Sequence, residues 1–308
     1  MTAARPSVDP RLAMPPKASL DWAIRSVGGV DLLAIEPLGG GVSHANHRLR
    51  IGRDEKRIEV VLRRCVRTGW LDEDPEYSPA QEIATYGLLA SSAVPAPRLL
   101  DADPTPEHCD VPALLLTLAP GRRIVRPADV RSLAQGLAEA LPAVHSVDPG
   151  RAADAVPSYR PFYERERLAV PEWSRRPDVW RRAIERFDEP PESSLPAFIH
   201  RDFHPGNTLW SEGRLTAIVD WTLASFGPPE FDLAHMRANL ALLYSLDVAD
   251  GFLACYRNAV GRNVAYDPRW DIRGVLDWVP ELPRNSQPAA ALLRLELLVA
   301  RALADLGG

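Results

Sequence analysis

The segment HRDFHPGN, residues 200–207, is the most informative stretch of this chain. It places an aspartate, Asp202, five residues before an amide, Asn207. A second aspartate, Asp220, follows thirteen residues after Asn207, at the end of an apolar run with the composition of a β-strand. All three side chains offer oxygen atoms, the ligands that hard cations such as Mg²⁺ prefer. The segment therefore predicts a site of short oxygen-bearing side chains placed by adjacent strands.

The roles of these three side chains follow from their chemistry. One carboxylate and one amide on adjacent strands can hold a metal nucleotide, so Asn207 and Asp220 are the predicted Mg²⁺ ligands. Asp202 would lie at the entrance of the loop, where a carboxylate can orient an attacking hydroxyl and accept its proton. We therefore predict that Asp202 is a catalytic base.

The sequence around this segment divides into a strand-rich part and a helical part. Residues 39–43 read GGGVS, a turn that permits positive φ, and two strand-like runs after it predict a β-hairpin. A helix is predicted from Ser78 to Ala90, and the apolar run 113–118 predicts a strand that ends at a hinge. The later sequence is mainly helical, with helices predicted from Phe231 to Leu246 and from Pro288 to Asp305.

Composition excludes several classes of protein. The chain has 308 residues, 46% hydrophobic and 25% charged, which is typical of a soluble globular protein of two domains or of one two-lobed unit. The net charge of -5 argues against a general nucleic-acid binder. Three widely spaced cysteines cannot form a disulfide framework, which favours a reducing cytoplasm. The sequence shows neither a signal peptide nor an apolar run long enough to span a membrane.

Three motifs follow one another in the second half of the chain. They are His-x-Asp-x-x-x-x-Asn at residues 200–207, IVDW at 218–221 and GPPEFDLA at 227–234. Together these motifs resemble the aminoglycoside phosphotransferase family of small-molecule kinases. The resemblance extends over most of the chain, because the glycine-rich turn, the helix with Glu82, the hinge and a helix ending at His145 come in the family's order.

This resemblance implies a fold and a division of the chain. The implied fold is an α+β, two-lobed, protein-kinase-like fold, with an antiparallel sheet in the N-terminal lobe and a mainly helical C-terminal lobe. The implied parts are a flexible leader (residues 1–18), an N-terminal nucleotide-binding lobe (19–118) and a C-terminal catalytic and substrate lobe (119–308).

The resemblance also implies a nucleotide site. The glycine-rich turn would cover the phosphates of ATP, and the hinge would offer backbone hydrogen bonds to adenine, with GTP as a possible donor in place of ATP. Asp202 would be the base, with Asn207 and Asp220 as Mg²⁺ ligands. The residues expected at the nucleotide are Gly39, Gly40, Gly41, Ser43, Arg63, Glu82, Thr117, Leu118 and Ala119.

The chain departs from the family pattern at three places. The only lysines are Lys17 and Lys56, so Arg63 stands where kinases carry the lysine that pairs with ATP phosphates. The planar fork of an arginine can bind phosphate oxygens and pair with Glu82, and we predict that pair. Thr222 follows the metal aspartate and its tryptophan where many relatives have glutamate, and Arg201 stands where glycine is common.

Other interpretations of the same residues carry less weight. The chain lacks the P-loop pattern and a Gly-x-Gly-x-x-Gly before a helix, which argues against those nucleotide folds. His200 and His204 do not form a zinc-binding His-Glu-x-x-His motif. We expect His200 to hold the loop by hydrogen bonds, Asp232 to brace it, and His145 and His235 to be ordinary helix-end or groove histidines.

The expected activity is transfer of the ATP γ-phosphate to a hydroxyl of a small molecule. Antibiotics, amino alcohols and sugar-like metabolites are all compatible acceptors, because fold does not choose among them. Neither nucleic acid nor a membrane is an expected partner, and the sequence carries no signal of oligomeric state. The alternative is a catalytically weak pseudokinase or nucleotide-binding interaction module, which the missing lysine favours.

Overall fold

A computed structural model describes residues 9–39, 43–67, 77–124, 127–148, 150–261, 264–279, 282 and 287–307. Backbone contacts divide the chain into two units. Unit 1 comprises Met1–Ser91 and Ala96–Ala119, and unit 2 comprises Ser92–Pro95 and Pro120–Gly308.

Unit 1 is built on a five-stranded antiparallel sheet with the strand order β1-β2-β3-β5-β4. Side chains alternate across β2 and β3, so Leu49 and Leu62 point to one face, where Trp22 of the first helix packs on them. The elements of unit 1 are α1 (Lys17–Ser26), β1 (Asp31–Leu38), β2 (His44–Arg53), β3 (Lys56–Cys65), α2 (Pro79–Ala90), β4 (Leu99–Asp103) and β5 (Ala113–Thr117).

Helix α2 begins where the sequence predicts. The Ser78 hydroxyl accepts a hydrogen bond from the Gln81 N–H at 3.1 Å, and Pro79 occupies the first helical position. This cap fixes the first turn of the helix, and Glu82 in that turn is fully buried. The predicted helix from Ser78 to Ala90 is confirmed, with Ser78 as its N-cap.

Unit 2 combines helices with two small antiparallel sheets, β6-β9 and β7-β8. Its helices are α3 (Val130–His145), α4 (Pro177–Glu185), α5 (Glu230–Leu243), α6 (Leu246–Ala259), α7 (Arg269–Leu276) and α8 (Ala289–Asp305). Its strands are β6 (Ala197–Ile199), β7 (Thr208–Ser211), β8 (Arg214–Ile218) and β9 (Ser225–Gly227), and 3₁₀ turns cover Gly150–Ala155, Arg165–Arg167 and Pro205–Asn207.

The predicted helix from Phe231 to Leu246 was too long at its C-terminal end. Helix α5 ends at Leu243, and Ser245 then caps a separate helix, α6, by accepting a hydrogen bond from the Val248 N–H. Apolar residues continue across the break, so periodicity alone gives no sign of it, whereas the serine is an N-cap signal.

Helix α5 is the central helix of unit 2, because nearly all of its side chains are buried and it packs against α6, α7 and α8. Its contact with α7 is especially close. A Cβ atom added to Gly274 would lie 2.8 Å from the Cβ atom of Ala234 and 3.0 Å from the Ala234 carbonyl carbon. The glycine therefore lets the two helix backbones approach.

We predict that Gly274→Ala lowers the free energy of unfolding by about 1–3 kcal/mol, because the added methyl group overpacks the contact with Ala234. Gly251→Ala in α6 is the matched control, since nothing lies within 4 Å of its added Cβ. That variant should be neutral or more stable by up to about 1 kcal/mol. Urea denaturation measures both changes, and equal effects at the two glycines would contradict the packing argument.

Candidate active site

The loop that follows β6 is held by one buried carboxylate. Asp232, in the first turn of α5, has no exposed surface and accepts hydrogen bonds from the backbone N–H groups of His200 (2.8 Å) and Arg201 (2.7 Å). Its Oδ2 atom also lies 3.2 Å from Nε2 of His145, whose Nδ1 contacts the Tyr256 hydroxyl at 2.9 Å. Asp232 therefore braces the start of the loop, as the sequence predicts.

Arg201 adopts a backbone conformation that normally favours glycine. Its φ is 69°, in the left-handed region where a Cβ atom causes strain. The side chain compensates through its contacts, since the guanidinium lies over the ring of Phe162 at 4.1 Å and donates to the Arg160 carbonyl oxygen at 2.5 Å. This position is the one where family members commonly have glycine, and the backbone shows why glycine suits it.

His200 connects the two halves of the predicted site. Its Nδ1 accepts a hydrogen bond from the Asp202 N–H at 3.3 Å, so Nε2 carries the proton and donates to the Val219 carbonyl oxygen at 3.0 Å. Burial lowers the pKa of His200, although Asp232 and Asp202 act in the opposite direction, and the neutral tautomer fits this geometry. His200 thus holds the loop by hydrogen bonds, as predicted.

The structure brings the Asp202 and Asn207 side chains into contact and relates Asp220 to Asn207 through the backbone. The Asn207 Nδ2 donates to the Asp202 Oδ2 at 2.9 Å and to the Asp202 carbonyl oxygen at 3.0 Å. The Val219 N–H donates to the Asn207 carbonyl oxygen at 2.9 Å, which sets the next residue, Asp220, beside Asn207. Asp220 has a φ of 65°, a strained conformation of the kind that clusters at functional sites.

Asp202 also contacts two histidines. Its Oδ1 atom lies 3.2 Å from Nε2 of His235 and 3.7 Å from Nε2 of His204, and its side chain is about one third exposed. Burial alone would raise the pKa of this carboxyl, but hydrogen bonds from His204 and His235 bring it well below its ordinary value. Asp202 is therefore ionised at neutral pH and held at both oxygens.

The contact of His235 with Asp202 differs from the prediction that His235 is an ordinary helix-end or groove histidine. A signal for it exists in the sequence. His235 follows Asp232 by three residues, so both side chains lie on one face of α5 and point toward the loop that Asp232 braces.

The donor set fits a hard cation. Hydrogen bonding of Nδ2 to Asp202 orients the Asn207 amide and leaves its Oδ1 as the atom for a metal, and Asp220 adds a carboxylate whose Oδ1 accepts from the Thr222 hydroxyl at 2.8 Å. Asn207 and Asp220 would be only two metal ligands. Among the described residues, no group of three or more His, Cys, Asp and Glu side chains is arranged to bind a metal ion.

In unit 1, the predicted pair of Arg63 and Glu82 is confirmed. The Arg63 Nε donates to the Glu82 Oε1 at 2.7 Å, and both side chains are buried. Asn46, directly opposite Arg63 on β2, accepts a second hydrogen bond from the Arg63 Nη1 at 3.3 Å. No sequence motif predicts the contact of Asn46, whose only signal is its register across the predicted hairpin.

The other predicted nucleotide residues are described in part. Gly39 follows β1 and Ser43 precedes β2, whereas Gly40 and Gly41 lie outside the described residues. At the hinge, the Thr117 N–H already donates to the Arg98 carbonyl oxygen at 2.9 Å. Any backbone N–H offered to a base there would therefore come from Leu118 or Ala119, which follow the strand.

A family model adds to this geometry. The model of the phosphotransferase enzyme family matches residues 34–266, which is most of the chain. The chain belongs to this phosphotransferase family. No curated protein matches it.

Solved structures show that this chain has the protein-kinase-like fold. A macrolide 2'-phosphotransferase from Brachybacterium faecium matches with a TM-score of 0.59 and 18% identity, over 95% of this chain and 93% of that chain. A thermostable mutant of an aminoglycoside phosphotransferase, in a ternary complex with AMP-PNP and hygromycin B, matches with a TM-score of 0.63 and 17% identity, over 93% and 99%. The GDP complex of an aminoglycoside 2'-phosphotransferase matches with a TM-score of 0.63 and 17% identity, over 92% and 99%. The predicted α+β fold, with a sheet in its N-terminal part and helices in its C-terminal part, is confirmed.

None of the helices in the described part of the chain combines the length and the apolar character that crossing a membrane requires.

The pKa of a second carboxyl near the loop, that of Asp277, is shifted in the opposite direction to the pKa of Asp202. Asp277, just after α7, is almost fully buried, and its Oδ1 accepts from the Phe162 N–H at 2.7 Å. Within the described residues, its Oδ2 has no hydrogen-bond partner. Burial raises the pKa of Asp277 to about 6, although the Phe162 N–H and the nearby Arg201, His235 and Arg273 lower it.

We predict that Asp277→Asn changes how stability depends on pH. The folded protein holds this proton more tightly than the unfolded chain does, so its contribution is full at low pH and is lost as the pH rises from about 4 to about 6. Between about pH 4.5 and 7.5 the wild type should therefore lose about 2 kcal/mol of unfolding free energy that the variant retains. Urea denaturation of both proteins at the two pH values measures the difference, and a difference independent of pH would contradict the assigned cause.

Proposed function

We propose that this phosphotransferase is a small-molecule kinase that transfers the γ-phosphate of ATP to a hydroxyl group, with Asp202 as the base and Mg²⁺ on Asn207 and Asp220. The observation that carries the proposal is the set of contacts joining these residues. The Asn207 Nδ2 donates to the carbonyl oxygen and to the Oδ2 of Asp202, and the Asn207 carbonyl oxygen accepts from the N–H of Val219, the residue before Asp220. Structural relatives crystallised with AMP-PNP or GDP support nucleotide use.

Asp202 is suited to orienting the acceptor hydroxyl. His204 and His235 approach its Oδ1, Asn207 binds its Oδ2, and part of the side chain remains exposed for an acceptor. Its pKa lies below the ordinary range, so the side chain is ionised and can accept a hydrogen bond that orients the hydroxyl, although the same low pKa makes it a weak base. Phosphoryl transfer needs mainly such positioning, because little covalent chemistry falls to the protein.

Mg²⁺, when bound, would neutralise charge on the transferred phosphate. The residues of this chain that would hold it are Asn207 and Asp220. Thr222 donates a hydrogen bond to the Asp220 Oδ1 at 2.8 Å and so helps to orient the carboxylate that would hold the cation. The replacement of the family's glutamate by Thr222 therefore removes no ligand.

Unit 1 would bind the phosphates of the donor. Arg63 is held by Glu82 and Asn46, so its guanidinium is oriented before a nucleotide arrives, which suits bidentate phosphate binding. Gly39, Gly40, Gly41 and Ser43 would cover the phosphates, and Leu118 or Ala119 would face the base. GTP in place of ATP is the alternative donor, and the relative solved with GDP supports testing it.

The acceptor class is a hydroxylated small molecule such as an antibiotic, an amino alcohol or a sugar-like metabolite. The solved relatives include a macrolide phosphotransferase and an aminoglycoside phosphotransferase bound to hygromycin B, which makes those two antibiotic classes the first acceptors to test. A panel of hydroxylated acceptors assayed for phosphate incorporation would identify the substrate.

A catalytically weak nucleotide-binding module is the second candidate, favoured by the missing lysine. The Arg63–Glu82 pair weighs against it, because Arg63 keeps the ion pair with a helix glutamate that orients the lysine in kinases. A protein that binds MgATP but phosphorylates no acceptor in the panel would support this candidate.

We predict that Asp202→Asn lowers kcat for phosphate transfer by about 10²-fold or more, because the amide cannot accept the proton. The KM for ATP should change little, since Asp202 serves the acceptor. Asp188→Asn is the matched control, because Asp188 is exposed and pairs only with Arg165 among the described salt bridges. Steady-state kinetics on an accepted substrate measure both variants, and full activity in Asp202→Asn would refute the assigned base.

A further inference from the structure

Four buried or half-buried side chains in unit 1 form a connected set that the proposed reaction does not use directly. The set comprises Ser43, His44, Tyr77 and Glu82, and we refer to it as the His44 relay. The Ser43 Oγ lies 3.2 Å from Nδ1 of His44, and Nε2 of His44 lies 3.0 Å from the Tyr77 hydroxyl. That hydroxyl donates to the Glu82 Oε2 at 3.4 Å, the oxygen opposite the one that binds Arg63.

The proton positions in this relay follow from the carboxylate at its end. Glu82 has no exposed surface, so its charge favours a Tyr77 hydroxyl that donates to it. With the Tyr77 proton directed to Glu82, the His44 tautomer that fits donates from Nε2 to the tyrosine oxygen and accepts from Ser43 at Nδ1. In this arrangement the three hydrogen bonds run in one direction from Ser43 to Glu82.

The tyrosine is fixed as a donor at any working pH. Burial and the neighbouring Glu82 raise the pKa of the Tyr77 phenol well above its ordinary value, so the phenol remains protonated. Low local polarity strengthens each hydrogen bond in such a network, and neighbouring bonds polarise one another. A change at one end is therefore transmitted to the other.

The two ends of the relay lie at two predicted phosphate-binding elements. Ser43 is the last residue of the glycine-rich segment, and Glu82 orients the Arg63 guanidinium at 2.7 Å. His44 is paired with Cys65 at the end of β3, two residues beyond Arg63, so the imidazole bridges from the start of β2 toward the ion pair.

We propose that His44 and Tyr77 are positioning residues that couple Ser43 of the glycine-rich segment to the Arg63–Glu82 pair. The coupling rests on the proposed function, since it acts on binding of the nucleotide phosphates. Ser43 and Arg63 then respond to the phosphates as one unit. Loss of either end should remove the benefit of the other.

A double-mutant cycle tests this coupling. Ser43→Ala removes one end and Tyr77→Phe breaks the middle while keeping the ring. Each should weaken the Kd for MgATP about 5-fold, the effect of losing one hydrogen bond, and the double variant should be little weaker than either single variant. Titration calorimetry measures the affinities, and thermal denaturation confirms that each variant is folded.

Adenosine distinguishes coupling from a general loosening of the sheet. It lacks phosphates, so its affinity should stay unchanged in all variants if the relay acts through the phosphate-binding residues. His47→Leu is the matched control, because His47 is a fully buried histidine of the same strand, and neither of its ring nitrogens has a hydrogen-bond partner among the described residues. It should leave the affinity for MgATP unchanged.

The possible outcomes separate the two proposals. If the double variant weakens MgATP binding by the product of the two single effects, or if adenosine binding is lost to the same extent, the proposed coupling is wrong. Either result leaves the proposed function intact. A wild-type protein that does not bind MgATP overturns both. If Tyr77→Phe fails to fold, His44→Gln breaks the same path and its cycle with Ser43→Ala gives the same decision.

Discussion

The buried carboxylate of Asp232 is the constraint on which the rest of unit 2 depends. It accepts two consecutive backbone N–H groups, from His200 and Arg201, and so sets the direction of the chain as it leaves β6. A buried carboxylate without such partners would carry a large desolvation cost, so the loop and the carboxylate stabilise each other. Asp232 also lies in the first turn of α5, where the helix dipole favours a negative charge. The close packing of α5 on α7 thus fixes the position of the loop as well as that of the helix.

The grouping of Asp202, Asn207 and Asp220 could be predicted because these residues lie close together along the chain. Asp202 and Asn207 are separated by a proline-containing turn, and Asp220 follows shortly after β8, the strand that pairs with β7 after Asn207, so local structure places all three residues in one region. His235 is different, because its contact with Asp202 joins a helix and a loop more than thirty residues apart. The division between α5 and α6 was missed for a related reason, since apolar residues run across it. Periodicity and motif spacing do not predict such long-range packing contacts.

The register between β2 and β3 determines which side chains contact Arg63, the residue that stands in place of the kinase lysine. On its own, an arginine in an exposed strand is an ordinary surface residue. Here β2 and β3 place Asn46 opposite Arg63, and α2 brings the buried Glu82 against the guanidinium, so two acceptors fix the fork from two sides. A lysine has no fixed plane that two acceptors could orient in this way, and its single charged nitrogen binds as a point charge. The change from lysine to arginine therefore replaces a point charge with a planar group whose direction is fixed by Glu82 and Asn46.

Two aspartates close to the loop show how environment separates the behaviour of identical side chains. Asp202 is approached by two histidines and an amide, and these partners outweigh the cost of burial, so its charged form is favoured. Asp277 is more deeply enclosed and has a partner at only one oxygen among the described residues, so burial dominates and its neutral form is favoured. Carboxyl groups whose pKa values are moved apart in this manner commonly divide charge and proton roles within one site. A carboxylate that is always ionised and held from three directions is well placed to orient a hydroxyl, and phosphoryl transfer requires that orientation more than it requires a strong base.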